Sequence, residues 1–261
     1  MFGLMFRSPT VADLLAEKQR KLERLSKAEP WSETMAWRRE LNLKADTYVV
    51  RRFFDGQRTE SLNGRWLYEE KILAKGSSLA THQGSRTGSV VFDGTVIIPA
   101  LFQKDDYSFT GWGQHPFMSL TPMELLTLRA GTKLATGHVV IAGLGMGHQL
   151  IEVARKKTVK KITVVEKCQE LVDFIWPEIW KHLPAGKSVE LVVGDAYEEL
   201  PKLTANVALV DIFEHYGSNR FEVRDLSPGS YKHNNFGWKP VSCPGIKRVW
   251  VWGAADVKGD W

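Results

Sequence analysis

The sequence predicts an α/β fold built on a parallel sheet, and three features of the chain support this prediction. An apolar, β-branched run at 138–142 ends at closely spaced glycines. Three more apolar runs follow, at 162–166, 189–193 and 207–210, with helix-length segments between them. An acid stands at or just after the end of each of these later runs. Alternating strands and helices of this kind are typical of α/β proteins.

The glycines lie in the loop 143–147, where they follow the pattern G-x-G-x-G. Glycine lets the backbone turn sharply and approach a ligand closely, so the loop predicts a cofactor site. A dinucleotide fingerprint needs its third small residue where this chain has His148, which disfavours NAD. Glu166, Asp195 and Asp211 follow the next three predicted strands, at the edge where parallel sheets bind ligands.

Each of these residues also has a purely structural explanation. Glycines after a strand can form nothing more than a tight turn, and Glu166 can be a solvated strand end. Asp195 can cap the helix that follows it by accepting a backbone hydrogen bond. A glycine loop combined with acids at three strand ends is hard to obtain from packing alone, so the combination favours a cofactor site.

This series of motifs resembles the class I S-adenosylmethionine-dependent methyltransferases and their spermidine synthase-like relatives, the aminopropyltransferases, over residues 120–215. The resemblance implies a Rossmann-like methyltransferase sheet that binds S-adenosylmethionine. It also implies that the glycine loop passes the methionine part, the acid after the second strand binds the ribose, and the acid after the third meets the adenine. The cofactor-binding residues implied are Gly143, Leu144, Gly145, Met146, Gly147, Glu166, Lys167, Asp195 and Ala196.

Methyl transfer is an in-line displacement at a sulfonium methyl. The protein must align the acceptor, exclude water and supply a base where the acceptor carries a proton. Asp211 occupies the fourth-strand position, which in the resembled family faces the reacting centre, and His215 and Tyr216 follow it as further catalytic candidates. A neutral histidine accepts a proton near physiological pH, although a solvated loop residue explains His215 equally well. The motifs leave the methyl acceptor unidentified.

The polyamine branch of that family is matched only in part. Residues 92–94, 105–107 and 115–116 resemble its L-D-G, D-E-x-x-Y and H-x-P patterns. The family's glutamine after L-D-G is Ile97 here, Met146 stands where its G-G-G-D-G loop has an acid, and residues 211–216 (D-I-F-E-H-Y) depart from its D-S-S-D-P segment. The resemblance implies that these departures remove acids that would hold the ammonium groups of a polyamine. We therefore expect a methyltransferase. An aminopropyltransferase and a noncatalytic binding or assembly protein with the same fold are the alternatives.

The chain divides into three predicted segments. Residues 1–46 are expected to form a helical arm, because apolar residues recur there at helical spacing after Thr10. Residues 47–118 are expected to form a small β-rich unit, because short apolar runs alternate with glycines. Residues 119–261 hold the predicted Rossmann-like cofactor-binding domain.

The C-terminal end of the predicted sheet is abbreviated. Only one further apolar run, 247–252, predicts a strand after Asp211. The sheet therefore has fewer strands than the resembled family carries. Bare sheet edges invite pairing, so either the segment 213–245 folds over the site or another subunit covers the edge in a homo-oligomer.

Two local patterns make sharper structural predictions. The run 90–98 predicts two strands joined directly by a tight Asp-Gly turn. Thr121, followed by Pro122, predicts a helix that begins at the proline, with Glu124 completing a capping box.

Composition excludes several classes of protein. No apolar run approaches the roughly 20 residues that span a bilayer, and the start of the chain lacks a cleavable signal pattern, so we expect a cytoplasmic protein without a membrane partner. Two cysteines and seven histidines show no metal-ligand spacing, and no metal is expected. The net charge of +5 permits a nucleic-acid partner, but dispersed basic residues do not indicate one.

Overall fold

In the computed structural model of this protein, the described residues are 29–30, 53–54, 58–80, 89–92, 95–104, 116–212 and 243–252. The helical arm predicted at 1–46 lies outside these residues apart from the short strand at 29–30. The catalytic candidates His215 and Tyr216 also lie outside them, so their placement stays a prediction.

Seven strands precede the first described helix. They are β1 (Glu29–Pro30), β2 (Arg58–Glu60), β3 (Trp66–Leu73), β4 (Ser78–Ala80), β5 (Ser89–Val91), β6 (Val96–Gln103) and β7 (Met118–Ser119). One sheet has the order β1-β6-β3-β2, with β7 also paired to β6, and β4 and β5 form a separate antiparallel pair. The long antiparallel pairing of β3 with β6 runs from Trp66 opposite Gln103 to Leu73 opposite Val96. The described residues before the helices are therefore mainly in β-strands.

The tight hairpin predicted within 90–98 is wrong in its pairing. The described strand β5 pairs with β4 and not with β6, which pairs with β3. Next to the paired residues Ser78 and Val91, two further backbone hydrogen bonds continue the pairing of β4 with β5. Gly76 N donates to Phe92 O at 2.8 Å, and Phe92 N donates to Ser77 O at 3.0 Å. The physical reason is burial. Strand β6 is buried along almost its whole length and takes partners on both edges, which a tight turn into β5 would not leave room for.

The second sheet is parallel and alternates with helices. Its strands are β8 (Gly137–Ala142), β9 (Val159–Glu166), β10 (Ser188–Val193), β11 (Val207–Val210) and β12 (Val249–Val251). The helices are α1 (Pro122–Leu134), α2 (His148–Ala154), α3 (Gln169–Trp180) and α4 (Ala196–Glu199). Among the described residues, none of the helices has the length and apolar character needed to cross a membrane.

The strand order β10-β9-β8-β11-β12 identifies the sheet as Rossmann-like. In chain order these are the third, second, first, fourth and fifth strands, and every neighbouring pair is parallel. Strand β11 is the most buried of the five, with all four of its residues inside, because helices cover both faces of a parallel sheet. The predicted α/β fold class is confirmed, and the described part of the sheet ends at five strands.

The strand order changes direction between β8 and β11. Strands β9 and β10 are added on one side of β8, and β11 and β12 are added on the other side. Open parallel sheets bind ligands outside the carboxyl ends of their strands at this switch point. The glycine loop follows β8 and Asp211 follows β11. Two of the sequence-predicted site elements therefore meet at the switch point.

Helix α1 begins where the sequence predicts, but its capping box does not form. Thr121 is the N-cap residue and Pro122 the first helical residue, yet the Thr121 side chain makes no capping hydrogen bond. The Glu124 carboxylate turns instead to Ser119 in β7, whose N–H and hydroxyl both donate to Oε2 at 3.4 Å. A carboxylate that completed the box would accept from the N-cap backbone, so Glu124 is directed away from its own helix end.

Candidate functional site

A cavity of about 1010 Å³ lies between the N-terminal sheet and the carboxyl ends of the parallel strands. Arg65, Trp66 and Phe117 line it on the side of the N-terminal sheet. Trp252, just after β12, lines it from the other end of the chain. Small-molecule sites have volumes of roughly 300 to 1,000 Å³, so the cavity has room for a whole cofactor.

The glycine loop lies at the floor of this cavity. Gly143 has a φ of +95°, a left-handed conformation that L side chains rarely adopt. A Cβ at Gly143 would collide with the carbonyl oxygen of Asp211, and one at Gly145 would collide with the Met118 side chain. At Gly143 the obstacle is backbone, so glycine is required there by close packing, whatever the loop binds.

Only the first part of the predicted loop faces the cavity. Gly143, Leu144 and Gly145 line it. Met146 is completely buried, and a Cβ at Gly147 would collide with Ile179 of α3. The structure therefore does not bring Met146 and Gly147 to the cavity, because the loop turns inward after Gly145 to start α2 against α3.

The N–H groups of the loop are mostly engaged by protein acceptors. They donate from Gly143 to Val165 O at 2.9 Å, from Leu144 to Glu166 Oε2 at 2.8 Å, from Met146 to Met118 Sδ at 2.9 Å and from Gly147 to Leu144 O at 2.8 Å. A phosphate-binding loop instead points several N–H groups at its ligand. This geometry agrees with the sequence argument against a dinucleotide.

Glu166 ties the loop to the start of α3. Its Oε2 accepts from the Leu144 N–H at 2.8 Å, and its Oε1 accepts from the Cys168 N–H at 2.9 Å. The side chain also lines the cavity. Each carboxylate oxygen can accept more than one hydrogen bond, so Glu166 retains capacity for ligand hydroxyls.

Asp195 combines a structural bond with a place on the cavity wall. Its Oδ1 accepts from the Tyr197 N–H at 2.9 Å and caps α4, as the structural explanation in the sequence analysis has it. Its Oδ2 accepts from Lys167 Nζ at 2.7 Å. The Lys167 ammonium holds the pKa of Asp195 below its usual value, and Asp195 in turn raises the pKa of Lys167. Asp195, Lys167 and Ala196 all line the cavity.

Asp211 lines the same cavity and lies directly after β11. Its N–H donates to Ala142 O at 2.8 Å, which fixes the backbone beside the glycine loop. Burial raises the pKa of Asp211 to about 7. A carboxyl with a pKa near neutrality can accept or release a proton under physiological conditions, which suits a general base.

Glu124 is a second carboxyl in the same part of the cavity. Burial raises its pKa to about 8, with the Asp211 charge as a further cause, while the hydrogen bonds from Ser119 act in the opposite direction. The sequence analysis did not identify Glu124 as a site residue, because a helix-capping role explained it. The sequence did contain one signal for this role. Glu124 is an acid in the first turn of the helix that precedes the first parallel strand.

Two more cavity residues were missed by the sequence analysis. Trp252 is held in place by a 2.9 Å hydrogen bond from its Nε1 to Thr127 Oγ1 of α1. Arg65, in the loop between β2 and β3, forms an ion pair from its NH1 to Glu170 Oε1 in helix α3 at 3.2 Å. Neither residue lies in a motif, so only the tertiary structure brings them to the site.

No protein-family model and no curated protein matches the sequence. The solved structures with a similar fold include S-adenosylmethionine-dependent methyltransferases and spermidine synthases. One is a methyltransferase from Thiobacillus denitrificans in complex with S-adenosyl-L-homocysteine. It is 26% identical over 36% of this chain and 37% of that chain, with a TM-score of 0.29.

Two further similar structures have lower identity. The spermidine synthase from Thermotoga maritima is 13% identical over 62% of this chain and 56% of that chain, with a TM-score of 0.31. A protein-L-isoaspartate O-methyltransferase is 18% identical over 42% of this chain and 33% of that chain, with a TM-score of 0.30. The chain spans less than two thirds of the length of each of these structures.

Proposed function

We propose that this protein is an S-adenosylmethionine-dependent transferase and, within that class, a methyltransferase. The observation that carries the proposal is a cavity at the switch point of a Rossmann-like sheet, lined by a glycine loop and by acids after consecutive strands. The loop amides are largely used internally, so a cofactor without a pyrophosphate fits this wall better than a dinucleotide does.

The residues that would hold the cofactor are spread along one wall of the cavity. Gly143 and Gly145 would pass its methionine part, Glu166 would accept from the ribose hydroxyls, and Asp195 with Ala196 would meet the adenine. When bound, S-adenosylmethionine supplies a methyl group whose bond to the sulfonium sulfur breaks with the electron pair left on sulfur.

The part of the cavity lined by Asp211 and Glu124 would receive the acceptor. The Asp211 carboxylate would take a proton from an acceptor that carries one. The aromatic side chains of Trp66, Phe117 and Trp252 line the cavity and would exclude water from the reacting atoms.

An aminopropyltransferase remains the second candidate, and the Asp211 carboxyl favours it, because its ionised form would attract an amine acceptor. The two candidates differ in the cofactor. A methyltransferase should prefer S-adenosylmethionine, and an aminopropyltransferase should prefer its decarboxylated form. Competition between the two compounds for the purified full-length chain separates the candidates.

The cofactor wall is tested by Glu166→Ala and Glu166→Gln. If Glu166 binds the ribose, the alanine variant should weaken S-adenosylmethionine binding by about 1 to 3 kcal/mol, as expected when a charge-assisted hydrogen-bonding group is lost. The glutamine variant keeps one side-chain oxygen and should lose less. Equilibrium dialysis with labelled cofactor measures both.

The matched control is Glu190→Ala, which removes an exposed carboxylate whose partner is Lys161 Nζ at 2.8 Å. Glu166 also accepts hydrogen bonds from two backbone N–H groups, so its loss can destabilise the glycine loop. The thermal unfolding midpoint of each variant reports whether the fold is retained. Unchanged cofactor affinity in a folded Glu166→Ala variant would remove the assignment.

A further inference from the structure

Met118 is a point at which the N-terminal sheet contacts the glycine loop. It lies in β7, which pairs with β6 of that sheet, with Met118 opposite Leu101. Its side chain lies against the loop that follows β8 of the parallel sheet, where Sδ accepts a hydrogen bond from the Met146 N–H at 2.9 Å. The side chain also lines the cavity. A residue of one sheet therefore contacts the proposed cofactor loop of the other.

A second contact places the same thioether against Gly145. Gly145 has a φ of +49° and lines the cavity. A Cβ on this residue would collide with Sδ and Cε of Met118. The space that a side chain at Gly145 would need is therefore occupied by the end of the Met118 side chain, beside the N–H group that follows in the chain.

The Met146 N–H differs from the other loop N–H groups in the origin of its acceptor. The N–H groups of Gly143, Leu144 and Gly147 have acceptors in the parallel sheet or in the loop itself. The acceptor of the Met146 N–H comes from the N-terminal sheet. Because Met146 is completely buried, removal of the sulfur would leave this N–H without an acceptor unless the loop moved.

We propose that Met118 is a positioning residue of the cofactor loop. Its sulfur holds the Met146 N–H, and the end of its side chain covers Gly145, where the loop turns from the cavity into the core. Through this residue the N-terminal sheet contributes to cofactor affinity. The inference rests on the proposed function for the identity of the cofactor, but the contact between Met118 and the loop does not depend on it.

Two substitutions of Met118 separate its packing from its hydrogen bond. Met118→Leu keeps an apolar side chain of similar volume and removes the acceptor. Met118→Gln has nearly the same length and supplies an acceptor oxygen. Because Met118 is half-buried on the cavity wall, the rest of the glutamine amide remains beside the cavity. The leucine variant should therefore disturb the loop, and the glutamine variant should restore it.

The hydrogen bond is tested by NMR of the full-length protein without cofactor, labelled with nitrogen-15 at its six methionines. In the wild type, the Met146 amide should exchange slowly with solvent. Met118→Leu should shift its signal and speed its exchange by about tenfold or more, because the N–H loses its acceptor. Met118→Gln should restore slow exchange. Met123→Leu is the matched control, since Met123 is also half-buried on the cavity wall, and should leave the Met146 amide unchanged.

Cofactor affinity provides the second readout of the same variants. Met118→Leu should weaken S-adenosylmethionine binding by about threefold to tenfold, the range expected for one lost hydrogen bond. Met118→Gln should recover most of that loss. A side chain that served only to pack the two sheets would show no such recovery, because glutamine is the poorer apolar replacement.

The contact with Gly145 is tested by a double-mutant cycle. Gly145→Ala places a methyl group against the Met118 side chain, and Met118→Ala removes the atoms that this methyl group would meet. Gly145→Ala should therefore lower the thermal unfolding midpoint more in the wild-type background than in the Met118→Ala background. We expect a difference of about 2 to 4 °C. Additive losses would contradict the contact.

The failure of this inference and the failure of the proposed function are distinguishable. Fast exchange of the wild-type Met146 amide would overturn the inference even if a variant did not fold. An unchanged amide or unchanged cofactor affinity in Met118→Leu would also overturn it, and the proposed function would stand if the wild type bound S-adenosylmethionine. A disturbed amide in Met118→Leu, restored in Met118→Gln, would keep Met118 as the residue that positions the loop even if no cofactor bound.

Discussion

The two ends of the cavity use the same residue types in opposite electrostatic environments. In the part of the cavity proposed to bind the cofactor, called here the cofactor end, Glu166 and Asp195 accept hydrogen bonds from backbone N–H groups, and Lys167 lowers the pKa of Asp195. In the part proposed to bind the acceptor, called here the acceptor end, burial raises the pKa values of Asp211 and Glu124. One cavity therefore holds both carboxylates fixed by hydrogen bonds and carboxyls with pKa values near neutrality.

The largest expected effect comes from Gly143, which lies against the backbone of Asp211. Gly143→Ala would place a methyl group in collision with the Asp211 carbonyl at a φ of +95°. We expect a loss of at least about 3 kcal/mol in the free energy of unfolding, together with loss of cofactor binding. Denaturant unfolding followed by circular dichroism measures the stability.

Gly186→Ala is the matched control for that substitution. Gly186 also has a positive φ, +75°, but an added Cβ would meet nothing within 4 Å. Its cost should be limited to backbone strain, about 1 to 2 kcal/mol. Equal losses for the two glycines would mean that contact with Asp211 does not decide the conformation of the loop.

The acceptor end should leave a signature in the pH dependence of stability. Because the folded pKa of Glu124 is raised above its ordinary value, the native state holds this proton more tightly than the unfolded chain does. The free energy of unfolding should therefore fall as pH rises from about 4.5 to about 8. Glu124→Gln should remove about 2 to 4 kcal/mol of that decline.

Urea unfolding of the wild type and Glu124→Gln at about pH 5 and pH 8.5 measures this difference. Asp173→Asn, on the exposed face of α3, provides the exposed-carboxyl control. If the wild type and Glu124→Gln lost stability in parallel over this range, Glu124 would not be held protonated by the fold.

The smallest effect should come from the cofactor end, where two variants of Asp195 separate capping from binding. Asp195→Ala loses the α4 cap and should cost about 1 kcal/mol, whereas Asp195→Asn can still accept from Tyr197 N–H. If Asp195 meets the adenine, Asp195→Asn should weaken S-adenosylmethionine binding at nearly unchanged stability. Wild-type affinity in Asp195→Asn would restrict Asp195 to a capping role.

The parallel sheet could be predicted because its strands are short apolar runs that end at glycines or acids. The resulting strand ends at Gly143, Glu166, Asp195 and Asp211 all meet one cavity. Periodicity specifies which residues are buried, and parallel topology then specifies which ends share an edge. That much of the site follows from local sequence.

The acceptor end could not be predicted in the same way. The sequence gives Glu124 a sufficient role at the helix start, and only the fold shows that its carboxyl faces Ser119 and the cavity. Met146 was assigned to the cofactor because it lies within the glycine loop, whereas the chain direction after Gly145 turns it into the core. Both differences depend on how elements distant in sequence pack together.

The predicted hairpin shows the same limit for strand pairing. An Asp-Gly pair between apolar runs is a strong local turn signal. Here the runs on its two sides, β5 and β6, pair with β4 and β3 instead. Strand β6 is paired on both edges and buried along almost its whole length, and this outweighs the local turn signal. Sequence spacing alone does not show which strands will pair with β6.

The central claim is that the cofactor end binds S-adenosylmethionine. Isothermal titration of the full-length protein with S-adenosylmethionine, its decarboxylated analogue, S-adenosylhomocysteine and NAD tests it most directly. The proposed site predicts binding of S-adenosylmethionine and S-adenosylhomocysteine and no binding of NAD. Binding of NAD, or of none of the four compounds, would contradict the claim, and the latter result would favour a noncatalytic protein with this fold.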